Sequence, residues 1–289
     1  MRKFKVLSML VIVAIVVIVT GCEKNENLIN SELINNDSEI LKSSSANYYG
    51  VNELILNHFI HYCQRKAGPY EGFPYYGEGY LSLDVAKQAC CPTSYMMAAA
   101  CLAHYKDGSS SQYNANGSKL SGIISSFSGT SYRYLSSMSS YANNTDGSFI
   151  TSSKKLSCSS RSSIKDFIET SLANDKFVMM NINANIYNYS TVNNTLLYQN
   201  SSNNPDVSYG TSLYVSENDE STNGIGAHII LIIRIDKDIN GNGIVQYIDP
   251  LAITRSNSNR KYMLYSKLLN SNQVSGNNSY YDAISVGLK

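Results

Sequence analysis

From Pro92 to Ala103 the chain reads PTSYMMAAACLA, an unbroken apolar run from Tyr95 onward. Ala, Met and Leu favour helix, and a proline at the first helical position gives up no hydrogen bond. The run therefore predicts a helix that opens at Pro92 and stops near Asp107-Gly108. Its residues are apolar on every face. Such a helix has no side to offer water and belongs in the middle of a domain, enclosed by other elements. Cys101, a small side chain within the run, and His104, near its far end, are expected to be structural. Two adjacent cysteines, Cys90 and Cys91, stand immediately before the proline.

What encloses the helix is legible in part. The run from Ile229 to Ile235 is almost wholly β-branched or Leu, as expected of a central strand covered on both faces. The segment DKDINGNG turns the chain, and a second strand from Ile244 to Ile248 returns antiparallel and delivers Asp249 before Pro250. A hairpin of this kind sets His228, which opens the first strand, and Asp249, which closes the second, at the same end of the sheet. Upstream, Ser163 followed by Asp166 marks a helix start, and Phe167, Ile168 and Leu172 give that helix an apolar face. Phe177 to Ile182 follows as a short buried strand. Spacings of three and four among Val51, Leu54, Ile55, His58, Phe59 and Tyr62 predict an amphipathic helix over Tyr48–Cys63. Residues 108 to 161 are rich in Ser, Asn, Tyr and Gly, with weak helix signals at KLSGIISSF and SYRYLSSMSSY; residues 186 to 224 read as a long polar loop. Helices around an antiparallel sheet make the fold class α+β.

The ends and the composition restrict where such a domain works. Residues 1–21 begin with Arg2, Lys3 and Lys5, continue as an apolar run from Val6 to Val19, and finish in small residues ahead of Cys22. The run is shorter than the roughly 20 residues a mature spanning helix needs, so it reads as an export signal. VTGC resembles the lipobox of bacterial lipoproteins. That resemblance implies cleavage before Cys22, a lipid on its sulfur as the membrane anchor, and residence in the bacterial cell envelope, at the outer membrane or cell surface. Residues 22–46 then form a polar tether rich in Asn, Ser and Glu, and residues 47–289 one domain. With 23 Lys+Arg against 22 Asp+Glu, no net field draws in nucleic acid. Setting Cys22 aside from the six cysteines leaves an odd number in an oxidising compartment. At least one thiol stays unpaired, as a reactive group, an intermolecular partner or a buried inert residue. No CxxC or paired Cys/His spacing points to a metal.

A thiol at the N-terminus of a buried helix, with an imidazole and a carboxylate delivered together by a hairpin, contains the parts of a nucleophilic site. The positive end of a helix dipole and a neighbouring imidazole both favour thiolate over thiol. A carboxylate that accepts the other imidazole N–H orients the base. Cys90, His228 and Asp249 fill these three places. CCPTS, GAHIILIIRID and YIDP resemble, in order and context, the motifs of the papain-like cysteine peptidases, in particular the branch related to bacteriocin-processing, double-glycine leader peptidases. IKDFIETSLANDKFVMMNI is similar to the helix and strand that lie between them, so the resemblance covers roughly residues 80–270. It implies a papain-like fold, in which a central helix with the nucleophile at its N-terminus packs on an antiparallel sheet. It also implies hydrolysis of a peptide or protein substrate by Cys90, His228 and Asp249 without a cofactor, and an oxyanion donor for which Gln88 is the candidate. Cys91 falls where that family has glycine. A second reading keeps the fold without the chemistry: a silent surface module for binding or host interaction, with Cys90 and Cys91 joined as a vicinal disulfide. Asp236, Asp238, Asn240 and Gly241 also match the first half of an EF-hand loop, but Tyr247 stands where the closing carboxylate belongs, so the segment is read as a polar turn.

Overall fold

The computed structural model describes residues 48–68, 78–108, 111–183, 197–198, 207–208, 227–237, 243–250, 260–275 and 278–289. The export signal, Cys22 and the tether lie outside the described residues, as do residues 238–242 of the turn read from DKDINGNG. In chain order come β1 (Tyr48–Gly50), α1 (Glu53–Leu56), a 3-10 turn (Gln64–Ala67), α2 (Leu83–Ala86), α3 (Cys90–Asp107) and α4 (Gly117–Ser125). A second 3-10 turn (Ser131–Arg133), α5 (Leu135–Asn144), β2 (Ile150–Cys158), α6 (Arg161–Ala173) and β3 (Phe177–Asn183) follow. Within the stretch read as loop, β4 (Leu197–Tyr198) pairs with β5 (Val207–Ser208). The chain continues through β6 (Ala227–Lys237), β7 (Gly243–Ile248), β8 (Arg260–Leu264), α7 (Tyr265–Leu268), β9 (Gln273–Ser275) and β10 (Asn278–Leu288).

These elements form an α+β fold around one antiparallel sheet in the order β2-β10-β3-β6-β7-β8, with β1 beside the second half of β6 and β9 beside β10. Helix α3 packs on β3, β6 and β10, α5 on β2 and β10, and α6 on β1, β2, β3 and β10. The Ser152 hydroxyl donates to Ser139 of α5, whereas Ser153 lines a groove with α6. Successive strand residues point to opposite faces, so α5 and α6 cover the sheet from opposite sides.

The absence of a polar face on α3 is matched by what surrounds it. Every residue from Cys91 to Ala103 is buried, in one core with Leu120 and Ile123 of α4, Met138 and Ala142 of α5, and Met179, Ile230 and Ile284 of the sheet. The helix opens at Cys90, two residues earlier than the proline suggests. Pro92 still falls in the first turn, where its missing N–H is not needed, and the first bond of the ladder runs from Thr93 N to Ala89 O at 3.0 Å. Inside the helix packing the Tyr95 hydroxyl donates to Asp146 Oδ2 at 2.6 Å beside a longer bond from Tyr113 at 3.3 Å. Burial pushes both phenols up, so they stay protonated and can donate to the carboxylate. Removing a hydrogen bond to a buried charge costs about 2 kcal/mol. Tyr95→Phe should therefore lower the urea midpoint by the equivalent of that amount with an unchanged m-value.

Two expectations are corrected. The segment Tyr48–Cys63 is not one amphipathic helix. Tyr48–Gly50 lies extended against β6, Tyr48 opposite Asp236, with the Arg234 guanidinium 4.5 Å from the Tyr48 ring centre. Only Glu53–Leu56 is helical, with the Asn52 side chain accepting from Leu54 N at 2.9 Å, and Leu54 is 62% exposed. Strand pairing along β6 outweighs a helical period that puts a leucine in water. Helix α6 also starts earlier than expected: Ser160, not Ser163, is its cap, its hydroxyl accepting from Ser163 N at 3.2 Å. Among the described residues no helix is long and apolar enough to cross a membrane.

Candidate active site

The site lies where α3 begins and where β6 and β7 present one common end. Ala89, at the N-cap of α3, has no side chain that could accept a hydrogen bond, and the helix ladder starts only at Thr93 N. The N–H groups of Cys90 and Cys91 therefore precede the ladder, as the first donors of any helix do. Across the sheet, His228 stands opposite Ile182 of β3, and Leu231 stands opposite Ile248 of β7. That register brings Asp249, one residue past β7, beside the start of β6. His228 Nε2 donates to Asp249 Oδ1 at 2.8 Å, and the two side chains are 3% and 0% exposed.

Nε2 is engaged by Asp249, and Cys90 at the start of α3 lies close enough to the ring to act on its charge. Burial alone disfavours a charged imidazole here. The attraction and hydrogen bond of Asp249, aided by the bond to Cys90, outweigh it and raise His228 from 6.5 to about 9. The ring is consequently an imidazolium at neutral pH. A sulfur near an imidazolium that a buried carboxylate holds would suit nucleophilic attack on a carbonyl carbon with proton return to the leaving group.

All three residues assigned from the sequence are thus brought together. The described cysteines are free thiols, so Cys90 and Cys91 are not joined in this structure. The two differ sharply in surroundings. Cys90 is half-buried beside His228, while Cys91 is fully buried, and burial followed by the neighbouring Cys90 pushes its thiol well above the ordinary value. Burial likewise raises Cys63 to about 11. Cys101 donates to Ile55 O at 3.0 Å, and Cys158 donates to Ser160 O at 3.4 Å. The glycine-to-cysteine departure needs no special backbone either, since Cys91 is helical and not among the residues with positive φ. Gln88 is half-buried two residues ahead of Cys90, its N–H donating to Val85 O at 3.0 Å, and its buried Oε1 has no partner among the described residues.

Two neighbours of the site were not legible as such. His61 Nε2 donates to Asp249 O at 3.1 Å, and Gln64 N donates to Pro250 O at 2.9 Å. Both contacts cross most of the chain, and no local spacing announces them. Of the EF-hand-like segment, Asp238, Asn240 and Gly241 lie outside the described residues; the Asp236 carboxylate accepts from Arg234 Nε at 2.9 and 3.0 Å, and Tyr247 is buried within β7. Among the described residues no three His, Cys, Asp or Glu side chains converge on a metal-sized site. His104 is structural, its Nε2 donating to Tyr113 O at 3.0 Å. No family model matches the chain, and no curated protein matches it significantly.

Proposed function

We propose that this chain is a papain-like cysteine peptidase anchored in the bacterial cell envelope by a lipid on Cys22. The observation that supports the reading is the 2.8 Å bond from the His228 imidazole to the buried Asp249, with Cys90 close enough to act on the same ring. Cys90 Sγ, as the thiolate of an ion pair with the His228 imidazolium, attacks the scissile carbonyl carbon, and the displaced electron pair forms an oxyanion beside the unladdered N–H groups of the α3 N-terminus, with Gln88 as a further donor. Collapse of that intermediate breaks the C–N bond, and the departing amine takes the proton of His228. The neutral imidazole then removes a proton from water, which attacks the thioester, releases the carboxylate product and restores the ion pair. Asp249 holds the ring throughout. This chemistry requires no cofactor.

The separate thiols of Cys90 and Cys91 support an enzyme over the silent module. An electrophilic peptidase probe tests the choice on the reduced protein at pH 7, with the adduct located by peptide mapping and hydrolysis followed on a peptide library. Rapid stoichiometric labelling of Cys90, together with peptide cleavage, is expected. Slow labelling spread across several cysteines, without cleavage, would favour the binding module. The anchor has its own test: mass spectrometry of the mature N-terminus should find a lipidated Cys22, and Cys22→Ser should abolish lipid incorporation and release or misroute the protein. A mature chain that has lost Cys22 would remove the anchor.

A further inference from the structure

We infer that Gln64 is a positioning residue that ties the loop carrying Asp249 to the loop delivering Cys90, an inference that rests on the peptidase reading. Its backbone N–H donates to Pro250 O at 2.9 Å, the residue after Asp249. From the same residue, Nε2 donates to Ala86 O at 3.0 Å and to Lys87 O at 3.1 Å. Those two carbonyls belong to the end of α2, where a helix leaves acceptors without partners in its own ladder. Among the described residues Ala86 O otherwise takes a long 3.3 Å bond from Ala89 N. A single residue thus joins the loop behind the imidazole, through its backbone N–H, to the loop before the thiol, through its buried side chain, while His61 holds Asp249 O from the same segment.

The chemistry of the amide fits that task. Two N–H bonds diverge from one nitrogen onto two carbonyls, a pattern that methionine, of similar length and volume, cannot supply. The other end of the amide is less well served. Gln64 is 0% exposed, and its Oε1 has no hydrogen-bond partner among the described residues. A half-satisfied buried amide is a poor device for stability alone, because the unpaired acceptor costs about as much as one good bond returns. Its geometric return is larger, since a misplacement of about 1 Å between reacting groups costs roughly a hundredfold in rate.

The test compares the full chain with Gln64→Met and, should that variant fail to fold, Gln64→Asn, whose amide falls one methylene short. Two readouts separate positioning from packing. NMR titration of the imidazoles, with four histidines to assign, follows the midpoint of His228, on which Asp249 and Cys90 act as the titratable neighbours. Hydrolysis per probe-titrated site gives kcat and KM without counting unfolded protein. The expected outcome is a His228 midpoint at least one pH unit below the parent's and a kcat lowered about tenfold or more, with KM within about twofold. A parental midpoint and parental kcat per titrated site in a folded variant would reduce Gln64 to a packing strut. If the parent itself neither labels nor cleaves, the peptidase reading fails, and the His228 midpoint alone decides whether Gln64 couples the two loops.

Discussion

Cys90→Ala is expected to give a folded protein with no probe labelling and no peptide hydrolysis, while Cys91→Gly keeps both activities and loses stability. The contrast follows from one helical step. Cys90 is half-buried and in contact with His228, and no other side chain at that position could form the acyl intermediate. Cys91 is fully buried in the core and makes no contact with the imidazole among those that govern it. Glycine there gains nothing from its conformational freedom, because the position is already helical. It costs about 0.3–0.5 kcal/mol in helix propensity and about 1 kcal/mol for the buried sulfur removed, so the urea midpoint should fall by the equivalent of about 1.5 kcal/mol. Burst labelling with and without reductant, beside urea titration, checks both halves. Removing Cys91 should also abolish any dependence of labelling on reductant, since it takes away the one thiol adjacent in sequence. Label on Cys91 in the parent would shift the nucleophile by one residue and undo the assignment.

His228→Ala should lose a factor of about 10³ or more in kcat/KM, whereas Asp249→Asn should lose about 10- to 100-fold and remain measurable. The base moves protons in both halves of the reaction, and its removal leaves the thiol without a partner. An asparagine can still accept the Nε2 hydrogen bond at 2.8 Å, and it forfeits the charge reinforcement, worth about 1.5–3 kcal/mol for a buried bond of this kind. The pH profile separates orientation from charge. With His228 at about 9, the imidazolium persists through neutrality, and activity should fall as pH rises through about 9, when the ring can no longer protonate the leaving amine. Asp249→Asn removes the strongest favourable influence on that charge, so the alkaline limb should move toward 6.5. Stability follows the same sign. A folded value raised above the ordinary one contributes stability that is complete below about 6.5 and is lost as pH climbs through about 9. The parent should therefore lose more stability between pH 7 and pH 10 than His228→Ala does. Equal and complete inactivation by both substitutions in folded protein would give Asp249 a role beyond holding the ring.

The strongest signals in the sequence were those in which burial and period agree. Helix α3 was legible because all its faces are apolar, and the β6–β7 hairpin because β-branched residues fill two runs around a turn; together they placed Cys90, His228 and Asp249. Where polar residues sit in regular structure, the same reasoning had nothing to read. β2, with the sequence ITSSKKLSC, is an edge strand whose middle faces water, and its pairing with β10 depends on residues more than a hundred positions away. β10 itself passes through Ala283, Ser285 and Gly287, weak strand formers that become buried because neighbours on both sides enclose them. The contacts of Gln64 and His61 escaped for a related reason: a residue that bridges two loops carries no period at all.

That placement of β10 has a kinetic consequence. It lies between β2 and β3 in the sheet, yet it follows every other strand of that sheet in chain order. Leu288 must find Ile150, and Asp282 must find Asn181, before either flank is complete. A nascent chain released segment by segment can close the β6–β7 hairpin early, but β2 has no strand to join until the final segment arrives. Pairings between such distant segments are paid for in loop entropy before they return any contact energy, so folding is slow and late. For the exported protein proposed here such lateness would be an asset: a chain still pliable during passage through a narrow translocation pore would lock the sheet that seats the imidazole only on the far side.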